Sequence, residues 1–223
     1  LRFHLQKDKP VFMDDIDTLG FKIFRSRRII NIGHGQNIND FLKKNPEYEK
    51  EKEIFAVEGA CPVLRKKALE ECKISSTELI DPNMFWYGDD LDIAWRMRNF
   101  GWKQIYSPAV AAWHDRKTTK SLRKNWRDFI KIRKQIPMFK RKLGWRNTWL
   151  AIIKNDFASN FIKDLPYILK REVPLIGYML FFEFPVLLEI PKLLWLLPQT
   201  LKKRRVIMRK ARVSADDFRK WFN

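Results

Sequence analysis

Apolar positions recur in two different ways along this chain, and the change falls near residue 115. Before it they form short runs punctuated by Gly and Pro. Ile29-Ile30-Asn31-Ile32, Ile54-Phe55-Ala56-Val57 and Gln104-Ile105-Tyr106 read as strands. Residues 38–44, 66–72 and 90–100 carry helical spacing, and Gly101 stands where a helix-closing glycine belongs. Residues 43–53 are charged almost throughout and read as a solvated loop or surface turn. Residues 106–113, leading out of the Pro108 turn, read as a further strand-like segment with His114 at its C-terminal end. Beyond residue 115 the spacing becomes helical. Leu122, Trp126, Phe129 and Ile130 share one face of residues 119–134, and Trp149, Ile153, Phe157, Phe161 and Leu165 follow at four-residue intervals. The pattern predicts an α/β domain over residues 1–115, followed by a basic, amphipathic α-helical region over 116–223.

The apolar stretch 173–198 has the length to cross a bilayer, which takes ~20 mainly apolar residues, but not the uninterrupted composition. Glu183, Glu189 and Lys192 interrupt it, and Pro174, Pro185, Pro191 and Pro198 divide it. Carboxylates and prolines both carry a cost in lipid, so the expectation is a set of in-plane interfacial helices of two turns or less. The polybasic Lys202-Lys203-Arg204-Arg205 that follows would hold them to anionic lipid, at ~1 kcal/mol per basic residue near the surface. The alternative is an apolar helical subdomain packed on the rest of the protein or on a partner.

Charge sharpens that choice. A net charge of +19 calls for an anionic partner: nucleic acid, nucleotide phosphates or an anionic membrane leaflet. An apolar fraction of 45% excludes a disordered chain. Cys61 and Cys72 form no CxxC pattern and suit a reducing, cytoplasmic setting. The chain begins at Leu1 in dense sequence with no leader, from which a longer protein is expected, its N-terminal part lying outside this sequence.

Candidate chemistry concentrates between residues 85 and 114. Asp89, Asp90 and Asp92 crowd into four positions at the start of a helical pattern. One carboxylate can cap the helix and a second suits its dipole, while mutual repulsion leaves a third to explain. An Asp held there could act as general base on a hydroxyl or help bind a divalent cation. His114, at the end of a strand, is a candidate metal ligand or anion contact. His34, between Gly33 and Gly35, reads as a turn histidine. Gly59 and Ala60, followed by Arg65, could let a phosphate or sugar approach the backbone, or could simply form a turn into a basic helix.

Taken in order, these residues resemble glycosyltransferase family 2, inverting enzymes of the GT-A fold, and most of all its bacterial rhamnosyltransferase-like branch. The resemblance rests on Gly59, Ala60, Arg65 and Lys66, then on Phe85, Tyr87, Asp89, Asp90, Asp92 and Arg96. Gly101, Trp102 and Lys103 follow, then Pro108, Ala109 and His114. Asp17-Thr18-Leu19-Gly20 and the closing stretch from Lys203 to Phe222 also look like segments of that branch. Asp89 stands where Glu is usual. No counterpart of the N-terminal nucleotide-binding half appears, so the match corresponds to about the C-terminal two thirds of such an enzyme; Asp15-Ile16-Asp17 has the spacing of a metal motif but the wrong place in the order.

The resemblance implies a partial GT-A, Rossmann-like nucleotide-sugar transferase domain over 1–115. Asp90 would be the catalytic base; Asp89, Trp86 and Tyr87 would touch the acceptor; Gly59, Ala60 and Arg65 would lie on the donor side. His114 would contact the Mg or Mn ion on the donor diphosphate. It implies transfer from a UDP- or dTDP-sugar to a saccharide or lipid-linked saccharide, with this fragment inactive by itself. The enzyme would sit peripherally on the cytoplasmic face of the cell membrane. The competing expectation is a non-catalytic basic module that binds membrane or RNA. Against RNA, the aromatics sit with aliphatics at helical spacing and the acidic cluster repels phosphate, so nucleic acid is not an expected partner.

Overall fold

The computed structural model describes residues 1–6, 9–109, 112–115 and 126–222. Its strands are β1 (Arg2–Gln6), β2 (Lys9–Met13), β3 (Phe21–Ile23), β4 (Ile29–Asn31), β5 (Lys52–Glu53) and β6 (Ile105–Tyr106). The first helices are α1 (Ile38–Lys44), α2 (Lys66–Glu71), α3 (Asp89–Asn99) and α4 (Trp126–Gln135). Then come α5 (Met138–Asn155), α6 (Ala158–Lys163) and α7 (Leu165–Phe182). The last are α8 (Phe184–Leu187), α9 (Glu189–Lys210) and α10 (Ala215–Arg219). Contacts divide the chain into two interleaved units. The first comprises Leu1–Lys22, Ile30–Val63 and Gln104–Pro137; the second comprises Ile23–Ile29, Leu64–Lys103 and Met138–Asn223.

The architecture is mixed α/β, but its sheets are small. β1 pairs antiparallel with β2, β3 with β4, and β5 antiparallel with β6. Three two-stranded sheets are not the larger parallel sheet of a Rossmann-like domain, so the described residues support the α/β expectation only at its coarser level. The reason is visible in burial. A parallel sheet covered on both faces needs continuous buried runs, whereas β2 is exposed along most of its length. Ile54–Val57, expected as a strand, makes only a single bridge, between Ala56 and Phe21.

In the first unit, Ile16, Phe41 and Tyr48 form the core, with Ile32, Ile38 and Tyr106 packed around them. Asn37 starts α1 by accepting the N–H groups of Asn39 and Asp40. The charged loop after α1 is more ordered than its composition suggests: Pro46–Glu49 form a 3-10 turn that buries Tyr48 against Phe41, ring centroids 5.3 Å apart. Gly20, at φ +99°, is required for steric reasons, because a Cβ there would collide with Ile54 and the Ala56 carbonyl.

In the second unit, α3 and α9 pack on α5. Ala68, Cys72, Met97, Phe100 and Ile207 make one core cluster, in which burial pushes the Cys72 thiol up to about 11. Such a thiol stays protonated and unreactive. α3 ends as its sequence predicts. Gly101 takes φ +83°, its N–H donates to the Arg98 carbonyl, and the Trp102 N–H donates to Met97.

Pro174 and Pro198 lie inside α7 and α9 rather than ending them, and both are exposed, where water can reach the carbonyl that each leaves without its helical donor. The breaks at Glu183 and Leu188 come just before Pro185 and Pro191, so those two prolines do bound helices, while the 18 residues of α7 and 22 of α9 correct the expectation of pieces of two turns or less. No single described helix is long and apolar enough to cross a membrane; α7 with α8–α9 meets that length and composition only as a pair bent by 120°.

Two buried ionic clusters hold this unit together. In one, the Lys154 ammonium lies 2.7 Å from Asp81 and 2.9 Å from Asp92, and Lys203 donates to Asp81 at 2.7 Å and to Glu78. In the other, Arg27 at a hairpin tip reaches Asp156 at 2.7 Å and Asp164 at 2.8 Å, with its guanidinium 3.9 Å from the Phe222 ring centre. Arg25 and Arg219 also bind Asp164.

Removing one partner of a buried pair strands the other. Lys154→Ala leaves Asp81 and Asp92 facing each other without their shared cation, and is expected to cost about 3–5 kcal/mol, read as a lowered urea midpoint. Asp156 gives a pH signature. Burial raises its carboxyl to about 6 despite Arg27, above the unfolded value of 3.8, so the native state takes up the proton first. The stability of the wild type relative to Asp156→Asn is therefore expected to rise as pH falls through about 6 towards 3.8, measured by urea unfolding across that window.

Candidate functional site

The three carboxylates divide as soon as burial is considered. α3 begins after Gly88, which has no side chain to cap with, so Asp89, Asp90 and Asp92 all lie within the helix rather than at its cap. Asp92 is buried and fully engaged. It accepts from Arg96 at 3.0 Å and Asn155 at 2.7 Å, besides its pairing with Lys154. Arg96 in turn donates to the carbonyls of Cys72 and Leu79 at 2.6 and 2.7 Å. Asp92 is thus a structural anchor. Asp89 and Asp90 are only partly buried, and Asp90 accepts the Leu91 N–H at 2.7 Å. Both lie in the first turn of α3, beside backbone N–H groups that have no carbonyl partner within the helix.

The approach to those two carboxylates is unusual. Trp86 (φ +50°), Tyr87 (φ +84°) and Gly88 (φ +84°) occupy the left-handed region in succession. For bulky residues this costs ~1–3 kcal/mol each and needs outside support. Asn147 on α5 supplies it. Wholly buried, its amide donates to the Tyr87 carbonyl at 2.7 Å and the Trp86 carbonyl at 3.4 Å. The result is an aromatic shelf. Trp86, 55% exposed, lies 5.6 Å from Phe139 and 5.5 Å from Tyr87 between ring centres. The Lys140 ammonium sits 5.4 Å from the Trp86 ring and 5.6 Å from that of Tyr87.

His114 belongs to the first unit. Its Nδ1 lies 2.9 Å from the buried carboxylate of Asp17, and its backbone bonds to Leu1 and Phe3. A carboxylate on one ring nitrogen fixes the ring and leaves Nε2 for a ligand, as around many metal-binding histidines. His34 converges on the same residue, with Nδ1 2.5 Å from the Asp17 carbonyl. Among the described residues no group of three or more His, Cys, Asp or Glu is arranged to hold a metal. His114 therefore fits a divalent ion as a single contact and not, among the described residues, as part of a ready-made ligand set.

Gly59 and Ala60 form an exposed turn in which the Ala60 N–H already donates to Glu58 at 3.1 Å. Arg65 is exposed at the start of α2. The structure thus gathers Trp86, Tyr87, Asp89 and Asp90 on one continuous segment of the second unit, while Gly59, Ala60 and His114 belong to the first. Sequence reasoning missed Asn147, Phe139 and Lys140, whose α5 lies more than fifty positions downstream, and nothing in their spacing points back to Trp86. It also missed the pairing of Asp17 with His114. Comparison with protein-family models, with curated proteins and with solved structures returns no match.

Asn147→Ala removes the only side chain that donates to the Tyr87 carbonyl among the described contacts. The expected outcome is a loss of about 1–3 kcal/mol together with faster amide exchange over residues 85–89, measured by hydrogen-exchange mass spectrometry.

Proposed function

We propose that this chain carries the acceptor side of an inverting glycosyltransferase of the GT-A type, acting on a saccharide or lipid-linked saccharide with a nucleotide-sugar donor. The observation that carries the reading is the strained aromatic shelf leading directly into Asp89 and Asp90. An exposed indole face matches the apolar C–H face of a sugar ring. Strain maintained by a buried amide is typical of a site that must stay preorganised. The GT-A assignment further requires a parallel sheet that the described residues do not contain.

In this reading a sugar ring of the acceptor stacks on Trp86, with Tyr87 and Asp89 orienting it. Asp90 removes the proton of the attacking hydroxyl, and that oxygen attacks the anomeric carbon as the nucleoside diphosphate departs. Arg65, with the backbone at Gly59 and Ala60, meets the donor phosphates. The Ala60 N–H must first exchange Glu58 for a phosphate oxygen. A bound Mg or Mn ion would stabilise charge on the leaving diphosphate, with His114 Nε2 as the protein's contact. The reading places the enzyme on the cytoplasmic face of the cell membrane.

A second reading, a non-catalytic membrane-binding module, is favoured by the exposed apolar side chains of α7–α9. One experiment separates the two. In the protein expressed from its complete gene, Asp90→Asn is expected to lower acceptor-dependent release of nucleoside diphosphate by about 10²–10⁴-fold with donor affinity unchanged. Unchanged turnover would remove Asp90 as the base, and absence of any transfer in the wild type would favour the second reading.

A further inference from the structure

Most of the large apolar side chains exposed among the described residues lie between Ile162 and Leu201. They are densest around the elbow where α7 gives way to α8 and α9. Phe181 is 79% exposed and Trp195 77%, and Phe182, Phe184, Leu188 and Leu194 are all more than half exposed. An apolar surface of this kind on a folded chain marks an interaction site.

What distinguishes this surface is where its charges point. The four acidic residues between Phe161 and Lys210 are all buried. Asp164 is held by three arginines, Glu172 by Arg171, Glu183 by Arg141, and Glu189 by Arg146 and Lys142. The carboxylates that interrupt the apolar run in sequence are therefore turned onto α5 or otherwise paired, away from the exposed face. Every exposed charged side chain in the same stretch is basic, including Lys170, Lys192, Lys202 and Arg205. The basic run itself splits: Lys203 is buried against Asp81, and Arg204 donates to the Ile153 carbonyl at 2.7 Å, which leaves Lys202 and Arg205 outside.

Aromatic and aliphatic groups rimmed by cations, with no exposed carboxylate, complement the acyl chains and phosphates of an anionic leaflet. A second copy is a poor occupant, since a two-fold contact would set cations against cations. The 120° elbow also favours lying in the interface over crossing it.

We propose that the α7–α8–α9 elbow is a lipid-docking wedge. Phe181, Phe182, Phe184, Leu188 and Trp195 enter the boundary between headgroups and acyl chains of an anionic membrane, while Lys170, Lys192, Lys202 and Arg205 meet its phosphates. Docking does not depend on glycosyl transfer, and Asp90→Asn leaves it intact.

The test uses the purified chain and vesicles of phosphatidylcholine with or without phosphatidylglycerol. The expected result is flotation with the anionic vesicles only. Phe181→Ser/Phe182→Ser, two changes at exposed positions, is expected to weaken binding by about tenfold or more with an unchanged circular dichroism spectrum. Lipids brominated near the headgroup should quench wild-type fluorescence more than lipids brominated near the chain ends, and the difference should shrink in Trp195→Phe. The proposal is overturned if the wild type ignores anionic vesicles or the double variant binds as well as wild type. Deeper quenching, or a concentration-dependent dimer that the double variant disperses in place of lipid binding, overturns it equally.

Discussion

The ammonium of Lys154 is the interaction on which the second unit depends. It sits wholly buried between Asp81 and Asp92, and Asp81 is shared with Lys203 from α9. Burial works to raise the Asp81 carboxyl, yet the two lysines outweigh it and hold it below its ordinary value. Four elements are thereby fixed: α3 through Asp92, α5 through Lys154, α9 through Lys203, and the turn before the aromatic shelf through Asp81. A buried pair contributes little net stability over an apolar equivalent, but it tolerates only one arrangement of its partners. This network thus anchors the first turn of α3 through Asp92, next to where Asp89 and Asp90 emerge.

The same device recurs wherever α6 to α9 carry an acid. Asp164, Glu172, Glu183 and Glu189 are each drawn inward onto a guanidinium or ammonium. Inward pairing has an outward consequence, because it strips negative charge from a surface that already exposes phenylalanine and tryptophan. The basic residues that neutralise these acids come largely from α5 and the β3–β4 turn, which is why part of the excess positive charge serves the interior and only part remains on the surface.

Strain and rigidity are also divided between the two halves of the candidate site. Trp86 and Tyr87 adopt a backbone that neither would choose, and Asn147 maintains it from a rigid helix. One turn further on, Asp92 is locked while Asp89 and Asp90 keep access to the surface. The aromatic shelf and the two partly buried carboxylates beside it are the features on which the proposed acceptor site rests.

Local pattern alone determined much here. The spacing of apolar residues marked α1, α2 and α3, Gly101 closed α3 because only a residue without Cβ readily takes its left-handed turn, and the alternation of strand and helix indicated an α/β chain. The crowding of Asp89, Asp90 and Asp92 was equally plain. What the pattern could not assign was their separate roles, since burial of Asp92 depends on Arg96, Lys154 and Asn155 arriving from one turn and from sixty positions away. Prolines are readable as breakers but not as tolerated exposed residues, so the breaks just before Pro185 and Pro191 were legible while the continuation of α7 through Pro174 and of α9 through Pro198 was not. Composition changes near residue 115, whereas contacts divide the chain into interleaved segments, because composition records solvent and contacts record packing. The sequence by itself determined which residues are acidic, aromatic and helical; tertiary structure decided which carboxylates are spent on burial, because only a fold can bring a distant cation to each of them.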